Sequence, residues 1–457
     1  MYQDVFGQDT TLTSPKAGAH WDQTLLAFMA HGATTPTHLV ATLEEDPNFA
    51  LGYAVKGMFY LLLGRSELID TAREALGLAE ASAIAAPITP REQGFLDALR
   101  AYLAGKPTQA VAHLEDVLSR HPGCTLAMKL SHAIRFVLGD GVGMRASIEN
   151  IMHAYGPDHA GRGYLMGCHA FTLEETGEYA RAETVGRMGL AISPDDAWGL
   201  HAVAHVYDMT CDAKGGVAWL TGREEAWAHC NNFRYHVWWH KALMHLDLGE
   251  VDTVLALYDT EIRQDKTDDY RDISNATSLL QRLELDGHDV GERWEELAEL
   301  SANRTEDGQL IFADLHYLLA LIGGERKDAV TKLMGRMHRD AKANSREMDA
   351  LMDAPGLSAA AGLEAFGEAD YKTAFLNLRR ARQTMQNAGG SHAQRDVFER
   401  LTIDAGIRAG FLDHAEAILR DRSSKRAGRF DGYAEARLTM IDAGRVASGC
   451  VERVPAE

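Results

Sequence analysis

The sequence predicts an all-α protein in which antiparallel helix pairs stack into a superhelical solenoid. Three observations point to this class. Ala, Leu, Glu, Arg and Met dominate long stretches, and only 11 prolines interrupt 457 residues. A unit of helix, Gly, helix and often Pro recurs along the chain. Each such unit carries an apolar face that only a neighbouring unit can bury.

The clearest unit runs from Tyr164 to Asp195. Ala170 and Leu173 share one face of its first helix, Gly177 breaks that helix, Tyr179 and Ala182 start the second, and Pro194 ends it. Tyr53, Gly57, Tyr60 and Gly64 mark an earlier unit, and Ala98, Gly105, Ala110, Leu114 and Pro122 mark the next. Trp238, Ala242 and Gly249, with Tyr258, mark a later one. Tyr371, Ala374, Leu378 and Ala381 follow, and Gly410, Ala415 and Leu419 close the series. The spacing resembles the tetratricopeptide repeat of about 34 residues and predicts about ten to twelve helix pairs. Residues 1–444 read as one solenoid, with 160–330 its central part. Residues 445–457 read as a frayed tail. The stretch 260–275 reads as a surface loop, and 341–355 as a second break.

The formal net charge is -20. On that charge the reading excludes a nucleic-acid partner, since phosphate binding needs Lys and Arg stripes. No apolar run approaches the roughly 18 residues of a membrane span, so no membrane partner is expected. The first residues are polar, without the basic and apolar regions of a signal peptide. The five cysteines, Cys124, Cys168, Cys211, Cys230 and Cys450, are widely spaced and form no Cys-x-x-Cys. A reducing, cytoplasmic setting fits them better than a disulfide framework.

Six of the 20 histidines and five of the seven tryptophans fall between Trp198 and His245. His201 and His205 are four apart and share one helix face, as do His236 and His240 on the next repeat. Neighbouring first helices sit about 8–10 Å apart, so four imidazoles can converge. In tetratricopeptide proteins the first helices line the concave groove. By that resemblance His201, His205, His236 and Glu174 point into the groove.

The stretch His201-Ala202-Val203-Ala204-His205-Val206 resembles a signature of the tetratricopeptide-repeat 38 family. So does His236-Val237-Trp238-Trp239-His240 with Ala242-Leu243 and Leu246-Asp247-Leu248-Gly249. Leu257-Tyr258-Asp259, Arg282-Leu283-Glu284-Leu285-Asp286-Gly287 and Phe312-Ala313-Asp314-Leu315-His316 continue the likeness. Cys211 departs from it, standing where a helix-ending Gly is expected. The resemblance implies an α-solenoid and supplies no reaction.

The leading reading is a binding protein that holds a small polar ligand, or a short peptide, in a concave pocket. His201, His205, His236, His240, Trp239, Glu174, Glu175 and Tyr207 are its candidate contacts, with Trp198 as a further aromatic wall. Trp238 reads as repeat core. The same four histidines could hold a divalent metal, zinc or iron, with Asp272 and Asp314 as ligands or supports. The alternative is a hydrolase or isomerase using His201 with Glu174, or His240 with Asp272, as acid–base couples. A third reading is a protein-interaction scaffold. Cys230 beside His229 is a poor dyad, because adjacent helical residues point about 100° apart. Oligomeric state is left open.

Overall fold

Local signals start and stop the helices. Thr89 accepts from the Glu92 amide, Glu92 accepts from the Thr89 amide at 2.9 Å, and Pro90 fills the first turn, where no donor is needed. Between the helices of a pair, a left-handed residue ends the first and an acid caps the second. Asp140, Asp212 and Asp370 accept from the amides of Gly143, Gly215 and Thr373 at 2.8, 2.9 and 3.1 Å. Gly177 takes φ +84° at this turn, with open space around it. Cys211 takes φ +54° at the equivalent place. The turn is therefore kept without Gly, at a cost of about 1–2 kcal/mol.

The computed structural model describes residues 1–447, with 25 α-helices and one short hairpin pairing Tyr2–Gln3 with Asp9–Thr10. The chain is an all-α helical-repeat solenoid. Successive helices pack in antiparallel pairs, such as Ala50–Leu62 on Leu68–Ala85 and Arg162–Glu175 on Tyr179–Ile192. First helices form the inner layer. Arg162–Glu175 buries every residue except its two ends, whereas Tyr179–Ile192 buries only Ala182, Gly186 and Gly189. Residues 445–447 belong to the last helix, Gly432–Ala447, and the rest of the expected tail lies outside the described residues.

The superhelix closes on itself. Gly32 bridges Cys230, and the Asn231 amide donates to the His31 carbonyl at 2.8 Å. Arg65 and Arg304 share Asp268, and Arg304 also reaches Glu67 at 2.6 Å. The Glu347 amide donates to the Gly105 carbonyl at 3.0 Å, and Gln386 Nε2 to the Gly139 carbonyl at 2.9 Å. His392 and Arg395 hold Glu175, while Arg426 holds Asp208 at 2.6 Å. The side-chain bonds from Arg65 to Asp268 and from Gln386 to Gly139 span 203 and 247 residues. Successive turns of the superhelix thus touch about every two hundred residues, and the groove becomes an interior.

The expected loop at 260–275 is shorter and less superficial than its composition suggests. Tyr258–Ile262 continues the preceding helix as a π-turn, and Tyr270 opens the next helix. Asp265 and Lys266 face solvent, but Asp268 holds Arg65 and Arg304 at the seam between turns, and Asp269 holds Arg271 at the start of the next helix.

Candidate functional site

Closure leaves a central cavity of about 400 Å³. Its walls are mainly apolar, with Phe28, Phe59, Phe136, Trp198, Phe233 and Phe312 supplying the aromatic surface. Lys129, His132, His201, His236 and Arg271 give it a polar side. Pro36 and Val40 are exposed and Lys56 half-buried, which marks a rim between the second and third helices, Thr35–Glu45 and Ala50–Leu62.

The histidine cluster lies at one end of this cavity. Ala197–Met209 presents His201 and His205, and Phe233–Asp247 presents His236 and His240. His236 Nε2 is 3.1 Å from His201 Nε2 and 3.2 Å from His240 Nε2. One nitrogen from each of the four rings falls within 4.8 Å of all the others. Asn275 Oδ1 meets His236 Nδ1 at 3.0 Å, so that ring donates through Nδ1 and turns its Nε2 lone pair to the cluster. Trp239, fully buried, stacks on His236 with centroids 5.2 Å apart. Burial pushes the His236 pKa down to about 3 and holds His201 and His240 well below the usual range. All three are neutral at physiological pH.

Glu174 and His205 form a buried pair behind the cavity wall, with Oε2 3.4 Å from Nδ1. Burial raises the Glu174 pKa. Burial also opposes charge on His205, but the carboxylate outweighs it and raises the imidazole pKa.

The structure sorts the expected site residues. His201 and His236 line the cavity, whereas His205, His240, Glu174 and Trp239 lie behind its wall. The expected couples do not form: Glu174 faces His205 and not His201, and Asp272 accepts from Asn232 at 2.6 Å and from Thr267 and not from His240. Glu175 is taken up by His392 and Arg395 in the closure. Tyr207 is no cavity wall. It bonds Arg187 at 2.7 Å and Glu183 at 3.2 Å, between two second-layer contacts. Asp314 is paired with Arg336. Trp239 is the fully buried indole, while Trp238 is half-buried against Trp227. Cys230 Sγ comes 3.7 Å from His229 Nε2, but both donate to the Ala30 carbonyl, and burial pushes the thiol up to about 12.

Several cavity residues escaped sequence reasoning. His31 has φ +58° and stacks between Trp198 and Phe233, at centroid distances of 5.5 and 4.4 Å. Its neighbours lie about two hundred residues away, so no local pattern announces it. Lys129 and His132 had a signal: a lysine and a histidine three apart, both buried, in the inner helix Thr125–Val137. Lys129 is 4% exposed. Its ammonium sits 5.0 Å from the Trp198 ring and 3.9 Å from Cys168 Sγ.

No family model matches the chain. Among solved structures, a human IFIT1 dimer with PPP-AAAA is similar over 96% of this chain and 96% of its own, at 14% identity and a TM-score of 0.41. That structure contains PPP-AAAA, and the expectation of no nucleic-acid partner, drawn from net charge, is withdrawn. The physical reason is visible here: a chain of net charge -20 places Lys56, Lys129 and Arg271 on its own cavity. Net charge describes the outer surface and not an interior. Among the described residues no helix is long and apolar enough to cross a membrane.

Proposed function

We propose that the protein is a helical-repeat binding protein that encloses a small molecule with an apolar body and an anionic head. The mainly apolar cavity of about 400 Å³, open at its rim, carries this reading, since ligand pockets of that kind run from about 300 to 1,000 Å³. The expected polar ligand gives way to an amphipathic one, because aromatic rings make most of the wall. Lys129 receives the head: its ammonium is buried and lies over the Trp198 ring, with the buried Asp196 carboxylate near enough to interact with it but not paired to it. Arg271 is less available, being held bidentately by Asp269 at 2.8 and 2.6 Å. An extended peptide would need the open groove that closure removes. The motifs around His201 and His236 further support membership in the tetratricopeptide-repeat 38 family. The four described cysteines are all free, in keeping with a cytoplasmic setting.

Dodecanoate and dodecanol, titrated by calorimetry, test the reading. Dodecanoate binds the wild type, and Lys129→Met weakens it by about tenfold or more while leaving dodecanol unchanged. Ala133→Phe, which fills the cavity, abolishes both. If neither amphiphile binds, or if the cavity-filled variant binds as well as the wild type, the reading fails.

A further inference from the structure

The unused chemistry of the molecule is concentrated in the four histidines. Outside them, most titratable clusters are ion-pair networks with their charges matched, such as Arg422 with Asp396 and Asp431, and the unpaired Lys129 belongs to the cavity already described. The histidines are not matched. His236 offers one Nε2 lone pair, and two other Nε2 atoms crowd it at 3.1 and 3.2 Å. One lone pair cannot satisfy both neighbours well. Beyond their 3.4 Å ion-pair contact with each other, the His205 nitrogens and Glu174 oxygens are buried without a hydrogen-bond partner. Buried polar groups left in this state each cost about 1–3 kcal/mol, so the crowded Nε2 lone pairs and the His205–Glu174 pair beside them call for a missing partner.

We infer that His201, His205, His236 and His240 bind a first-row divalent transition metal, zinc or iron, at the inner end of the cavity. Imidazole nitrogens 2.0–2.1 Å from a common ion lie about 3.0 Å apart at adjacent octahedral positions and about 3.3 Å apart in a tetrahedron. The observed separations of 3.1 and 3.2 Å fall between these values. An ion at the shared centre replaces the crowded contact with coordination to every inward lone pair. Supports sit behind the ligands in the usual manner: Asn275 orients His236 through Nδ1, and Glu174 faces His205 Nδ1. Glu174 also supplies a buried negative charge beside the cation. Imidazole suits zinc, iron, copper and nickel more than calcium or magnesium. His201 and His236 line the cavity as well, so any coordination position left free by the protein faces the bound molecule. That last point rests on the reading of the cavity as a binding site; the metal site itself does not.

The test uses the full chain, purified without a polyhistidine tag, stripped with chelator and titrated with Zn(II), Fe(II) and Co(II). About one ion per chain is expected, with visible Co(II) bands and X-ray absorption showing nitrogen neighbours near 2.0–2.1 Å. His236→Ala and His240→Ala abolish tight binding, while His245→Ala, which removes a histidine paired with Glu250 at the helix end, leaves it intact. No stoichiometric ion in the wild type overturns the inference. So does an ion that survives both cluster variants, or one whose neighbours include sulfur. Should a variant not fold, the wild-type absorption spectrum decides alone. Dodecanoate binding is measured on the same stripped protein, so the metal and the cavity readings fail separately.

Discussion

Replacing Arg336 by Met tests how one wall of the cavity is held. The helix Ile311–Gly323 brings Ile311 and Phe312 to the cavity, and Asp314 in its first turn is fixed by Arg336. Both partners are buried, at 3% and 1% exposure. Arg336 also donates to Asp340 at 2.9 Å and to the Thr305 carbonyl at 3.2 Å. Burial lifts the Asp314 pKa from 3.8 to about 6, although Arg336 pulls it down. Removing the arginine leaves a carboxylate with no cation, a loss that costs about 3–5 kcal/mol in buried pairs. The pH dependence has a definite sign. The folded pKa lies above the unfolded one, so the native state holds the proton more tightly. Stability is then lost as pH rises from about 4 to about 6, and a rise of this size corresponds to about 3 kcal/mol. In Arg336→Met the folded pKa climbs further and the decline continues above that window. Urea unfolding followed by circular dichroism at about pH 5 and about pH 8 should show the variant close to wild type at the lower pH and far below it at the higher. Asp314→Leu added to Arg336→Met should recover most of the pH-dependent loss, because the buried carboxylate is then gone and only the Thr305 carbonyl and Asp340 contacts stay lost. A single variant within about 1 kcal/mol of wild type at the higher pH, or a double variant no better than the single, would refute the reasoning.

Two further substitutions probe the backbone. Gly139 has φ +69°, and a Cβ there would lie 1.9 Å from the Gln386 carbonyl oxygen. Gly139→Val should cost at least about 2 kcal/mol and speed amide exchange at 385–390, with unchanged exchange in that segment as the contrary result. Ala369 is an exposed residue at φ +60°. Ala369→Gly should raise stability by about 1 kcal/mol, and a lowered unfolding midpoint would show that the left-handed turn is not strained.

The fold was legible because its signals are local. Gly177, Pro194 and the Ala and Leu positions around them report a helix pair without reference to anything distant. The pairing of His201 with His236 was legible for the same reason, since adjacent repeats repeat their geometry. What escaped depends on the second turn of the superhelix. Nothing near Glu175 shows that His392 and Arg395 will cover it, and nothing near His31 shows that Trp198 and Phe233 will clasp it. Tyr207 was misplaced by a smaller error. It lies two residues beyond His205, so the helix turns it about 200° away from that face and toward Arg187.

Closure changes what the central residues can do. In an open solenoid a row of histidines on the first helices would meet solvent, titrate near neutral pH and touch a passing peptide. Here the same row is buried against a mainly apolar wall. His201, His236 and His240 are held neutral by burial, and the surface left for a ligand is aromatic with a buried ammonium at its edge. Neutral imidazoles with inward lone pairs are metal ligands before they are proton carriers. The contacts that close the superhelix therefore also shape its centre: they bury the four histidines behind and beside the cavity wall and hold His236 with its Nε2 turned toward the cluster.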